Sequence, residues 1–79
     1  MRKIKRNIII RTDNQGKIID FVAKPDAYIN DAVRDVVKYL FFNNIEKEYV
    51  LHFNDIELII SSRSTVQNVV DEYLNSASI

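Results

Sequence analysis

Residues 49–60 read YVLHFNDIELII, and the fold turns on this stretch. Tyr49, Leu51 and Phe53 alternate with Val50 and His52, and beyond Asn54 and Asp55 the alternation resumes with Ile56, Leu58 and Ile60. A period of two sends successive side chains to opposite faces of a strand, so each half presents one apolar face to a core. Asn-Asp between two such runs is a two-residue turn of the kind that tolerates positive φ. The segment therefore predicts a tight antiparallel hairpin, with Val50, His52 and Ile59 on the face turned away from the core.

Downstream, Ser64 with Gln67 three residues later has the form of a capping box opening a helix. Val66, Val69, Val70, Tyr73 and Leu74 then form an apolar stripe opposite Gln67, Asn68, Asp71 and Glu72. The helix is expected over residues 65 to 75, followed by a frayed tail over 75–79. Upstream, Ile29, Ala32, Val33, Val36, Val37 and Leu40 recur at helical spacing, with Asp31, Arg34, Asp35 and Lys38 opposite. That predicts a helix over residues 29 to 42, with Asp26 or Asn30 as N-cap and the consecutive Asn43 and Asn44 at its end.

The N-terminal third repeats the hairpin logic. Ile4, Arg6, Ile8 and Ile10 share one strand face, and Lys3, Lys5, Asn7, Ile9 and Arg11 share the other. Asp13, Asn14, Gln15 and Gly16 make the turn, Gly16 being free to take positive φ. A second strand runs from Lys17 to about Ala23. Its favoured phase points Ile19, Phe21 and Ala23 inward, with Ile18 and Val22 outward, because the opposite phase would bury Asp20. The order is strand, strand, helix, strand, strand, helix. An α+β domain follows, built as a four-stranded, mainly antiparallel sheet with both helices on one face. The two strand-strand-helix halves, residues 1–45 and 46–79, also raise the possibility of an internal ββα duplication.

Seventy-nine residues make one domain, and 47% hydrophobic content with a single Gly and a single Pro excludes a disordered composition. With no cysteine there is no disulfide and no thiolate chemistry, which suits a reducing interior. No apolar run is long enough for a signal-peptide core or a membrane span, so the expected location is the cytoplasm. Twelve Ile and eight Asn without Trp fit an AT-rich coding sequence, as in many phages and low-GC bacteria. The zero net charge conceals polarity. The first 24 residues hold seven basic and two acidic side chains, a local charge of +5, and the remainder balances it at −5. Such asymmetry steers encounters even when the total cancels.

Chemistry-bearing motifs are scarce. His52 is the only histidine, and with Glu57 as its one expected neighbour it falls short of a metal-ligand set. Ser61, Ser62 and Ser64 come without a nucleophile elbow or a glycine-lined oxyanion loop, and one glycine cannot build a phosphate loop. Neither catalysis, a cofactor, a metal nor a small-molecule ligand is expected. Asp31, Asp35, Asp71 and Glu72 read as solvated helix faces.

Two binding surfaces remain. Lys3, Lys5 and Arg11, joined by Lys24, form a basic row along which phosphates could lie. The aromatic residues Phe21, Tyr49 and Phe53 fall on the inward phase, however, so the row lacks the rings on which bases stack. On the same open face Ile9, Ile18, Val22, Val50 and Ile59 stand between the charges, enough to make an apolar patch of the interface kind. The sequence thus points to a non-enzymatic protein-binding module, such as a phage or mobile-element accessory protein or inhibitor, that occupies a host protein surface or forms a homodimer. The expected partner-binding set is Lys3, Lys5, Ile9, Arg11, Ile18, Val22, Val50, His52 and Ile59. The alternative is a nucleic-acid binder using the basic N-terminal strand.

Overall fold

The computed structural model describes residues 7–77. Strands β1 (Ile8–Thr12) and β2 (Ile18–Ala23) precede helix α1 (Ile29–Phe42), and strands β3 (Tyr49–Phe53) and β4 (Ile56–Ile60) precede helix α2 (Val66–Ala77). The fold is α+β in the expected order. The strands lie side by side as β1-β2-β3-β4. Both hairpins are antiparallel and the central β2–β3 pairing is parallel, so the sheet is mixed. Parallel neighbours need a crossover, and α1 supplies it. Because β1 is antiparallel to β2, and β2 parallel to β3, β1 and β3 run in opposite directions. Repetition of one ββα unit along the sheet would make them parallel, and the topology gives a duplication no support.

Local chemistry explains the turns. Asn54 and Asp55 take φ of 47° and 67°, the left-handed pair that matches strand twist in a two-residue hairpin. Gly16 takes φ of 80° in the first hairpin, where Asp13 Oδ1 accepts hydrogen bonds from the amides of Gln15 and Lys17. Helix α1 ends at Asn43, and Asn44 follows at φ 55°. The amide of Ile45 donates to the Leu40 carbonyl and that of Asn44 to the Phe41 carbonyl, the paired pattern of a Schellman ending.

Both expected N-caps are corrected. A turn closed by the Ala27 amide on the Lys24 carbonyl delivers an extended Tyr28 to the cap position of α1, and no side chain caps it. At α2 the cap is Thr65, whose Oγ1 accepts from the Asn68 amide at 3.2 Å. Ser64 Oγ is instead taken by the amide of Ser61, and Gln67 bonds Asp71 one turn along rather than reaching back. Helix α2 also runs to Ala77, two residues past its expected end.

A single apolar cluster fills the space between sheet and helices. Ile8, Phe21, Leu51, Phe53, Leu58 and Ile60 meet Ala32, Val33, Val36 and Leu40 of α1 and Val69 of α2. Phe21 lies fully buried at its centre, with Tyr39 and Tyr49 packed edge-on at 5.9 and 5.8 Å. Leu74, expected in the apolar stripe of α2, is exposed. Asp35, expected to face solvent, accepts hydrogen bonds from the amide and the side chain of Asn7, tying α1 to the residue before β1. No helix among the described residues is long and apolar enough to cross a membrane.

Candidate functional site: the uncovered face of the sheet

Both helices pack on the face that holds Phe21 and Leu51, which leaves the alternate positions of all four strands as one open surface. The register arranges them in two rows. Arg11 pairs with Asp20, and Val50 with Ile59; Ile9 pairs with Val22, and His52 with Glu57. Val22 also stands beside His52 across the parallel seam, which joins the half-rows end to end.

The phase of β2 is where the sequence reading needs correction. Arg11 faces Asp20 but Thr12 faces Ile18, so Ile19 is an extra residue, a β-bulge. The inserted residue reverses the alternation on one side of it. Ile18 consequently packs against the core and leaves the predicted binding set, whereas Ile19, expected inward, is exposed. Phe21 and Ala23 keep their expected inward phase.

Asp20, which the favoured phase was meant to keep in solvent, is 91% buried on the open side. Arg11 Nε lies 3.3 Å from its Oδ1, and His52 Nε2 lies 3.0 Å from its Oδ2. A carboxylate accepts, so His52 Nε2 carries the donated proton and Nδ1 is turned to Glu57, whose Oε2 is 3.8 Å away. Asp20 Oδ1 makes an ion pair with Arg11 but no hydrogen bond of good geometry among the described residues. The four side chains form a continuous chain, Arg11–Asp20–His52–Glu57, diagonally across the sheet. Sequence reasoning paired His52 with Glu57 but missed Asp20. The signal present was a lone acid flanked by Ile19 and Phe21 within an apolar strand.

Apolar pairs flank this diagonal on both sides. Ile9 beside Val22 fills one corner and Val50 beside Ile59 the other, and Ile9 and Ile59 are 48% and 58% exposed. Four of the expected apolar positions therefore remain on the open face, together with Arg11 and His52. Lys3 and Lys5 lie outside the described residues. Beside His52 is an open cleft of about 440 Å³ whose lining, Val22, Ala23, His52, Asn54, Asp55 and Glu57, contains no hydroxyl or thiol. Among the described residues no cluster of His, Cys, Asp and Glu has the arrangement of a metal site.

A second exposed feature went unread in the sequence. Phe41 and Phe42, at the end of α1, are 62% and 72% exposed and pack edge-on at 5.4 Å beside a shallow cleft that reaches Arg63. No protein-family model matches the chain, and no curated protein or solved structure matches it significantly.

Proposed function

We propose that the chain is a small non-enzymatic protein-binding module that works through the open face of its sheet. It would act as a phage or mobile-element accessory protein or inhibitor does, by occupying a surface on a partner protein or by pairing with itself. One observation carries this reading: the face without helices holds apolar pairs, exposed Ile9 beside half-buried Val22 and half-buried Val50 beside exposed Ile59, on either side of a diagonal in which Arg11 and His52 flank Asp20. Apolar area ringed or crossed by polar groups is the usual composition of a protein interface. An arrangement in which Arg11 is held by Asp20 also leaves little free positive charge here. The four strands place one arginine and two carboxylates on this face, so the nucleic-acid alternative draws no specific support from the strands.

Ile59→Arg is the direct test. The side chain is exposed, so the thermal midpoint should stay within the range of ordinary surface substitutions, about 0.5 kcal/mol in stability. In a complex the same charge would be buried unpaired, and binding should weaken by several kcal/mol. Light scattering, pull-down from the native host and a melt on this variant give the answer. Unfolding would mean that Ile59 is core, and unchanged association would move the interface elsewhere.

A further inference from the structure

The pattern on the open face is self-complementary, and from it we infer that the occupant of this face is a second copy of the same chain. The inference rests on the reading of the face as a protein interface and names the partner. Along the diagonal the charges run from Arg11 at the β1 edge, through the Asp20–His52 pair, to Glu57 at the β4 edge. A positive end and a negative end make a line that matches its own reverse. The apolar corners lie on opposite sides of that line, Ile9 with Val22 on one and Val50 with Ile59 on the other.

Consider a second copy laid face to face about a two-fold axis that lies between the sheets and crosses the diagonal at right angles. Such an axis reverses the diagonal and leaves each corner on its own side. Arg11 of each copy then faces Glu57 of the other, and the central Asp20–His52 pairs stack in opposite senses. On each side of the diagonal the inner valines meet their counterparts, Val22 over Val22 and Val50 over Val50, with Ile9 and Ile59 at the rims. The contact is isologous, the commonest form of closed homodimer. A rotation about an axis along the strands would set Arg11 over Ile59, and one across the strands would set it over Ile9, so the charge pattern selects one orientation. Glu57 is well suited to an intermolecular role. Its side chain is 70% exposed, and among the described residues the one basic side chain beside it is His52, with Nδ1 at 3.8 Å.

The size of the face sets the strength. Four strands about 4.8 Å apart and five residues long at about 3.3 Å each present a surface of roughly 15 by 17 Å. Contacts of that extent belong at or below the lower end of the standard class, about 1,200 Å² of total buried area. The dimer should therefore be reversible, dissociating at micromolar concentration.

Sedimentation velocity across a concentration series of the full chain, with a melt on every variant, tests the proposal. The wild-type chain is expected to pass from monomer to dimer. Glu57→Arg sets two arginines against each other at both ends of the diagonal and should weaken dimerisation at least tenfold with no loss of fold. Arg11→Glu should do the same with two glutamates. An equimolar mixture of the two variants restores an Arg opposite a Glu at both ends, and association should return as a heterodimer. Should Arg11→Glu unfold because Asp20 loses its cation, Glu57→Arg and the milder Glu57→Gln decide the matter: graded weakening supports the arrangement and an unchanged dimer overturns it. A dimer broken by Ile59→Arg but indifferent to the Glu57 variants rejects this pairing while leaving the open face as the interface. A wild-type chain that stays monomeric at several hundred micromolar, yet loses a partner protein on Ile59→Arg, rejects the second copy and keeps the broader reading.

Discussion

Asp20 is a carboxylate buried on the side of the sheet that no helix covers, and its neighbours make this tolerable. Arg11 and His52 each approach one of its oxygens. An unpaired charge so placed would be strongly destabilising, whereas a paired one is nearly neutral and orients its partners. His52 and Arg11 are both partly exposed, so solvent screens the interaction and the coupling is modest. A double-mutant cycle of Asp20→Ala and His52→Ala should return a coupling of about 1 kcal/mol in denaturant unfolding. Additive effects would show that the hydrogen bond does not form in solution. The bulge at Ile19 turns only Ile18 and Ile19 from their expected faces, and nothing in the apolar alternation of residues 17–23 announces it.

At the scale of elements, local rules do well where a whole run of residues votes and less well where one hydrogen bond decides. Fourteen residues of α1 and the twelve of the second hairpin each carry a repeated pattern, and their bounds emerge as expected. Turn chemistry is equally local. Asp55 holds φ of 67°, a conformation that strains a residue with a Cβ, so Asp55→Gly should stabilise the hairpin. A gain of about 0.5–1 kcal/mol, read as a rise of several degrees in the thermal midpoint, is expected. The start of α2 shows the weaker side of local reasoning. Ser64 and Thr65 are both good caps by type, and the choice falls to Thr65 because the Ser61–Ser64 turn engages the Ser64 hydroxyl. Thr65→Ala should cost about 1 kcal/mol in denaturant unfolding, and a null effect would remove Thr65 from the cap position.

For the molecule as a whole, stability depends on one thin core. Phe21 fills its centre between Tyr39 and Tyr49, and truncating a buried Phe costs about 3–5 kcal/mol. A domain this small has little more than that in reserve. Phe21→Ala should therefore leave the chain largely unfolded at 37 °C by circular dichroism, in contrast to the silent melt expected of Ile59→Arg on the opposite face. The contrast between these two positions tests whether the sheet has one buried face or two.

By itself the sequence determined the elements, their order and the division of each strand into an inner and an outer face, apart from the phase reversal at Ile19. Those features depend on short-range periodicity, turn residues and the burial of apolar side chains, all of which act within a dozen residues. Only the tertiary structure decided that β2 lies parallel to β3, because two hairpins joined by a helix can pair through either edge. That seam brings Asp20 to His52 across 32 residues of chain and lays Arg11 and Glu57 at the ends of one line. The candidate interface is a property of strand order and register, and these are set by how the sheet closes over its core.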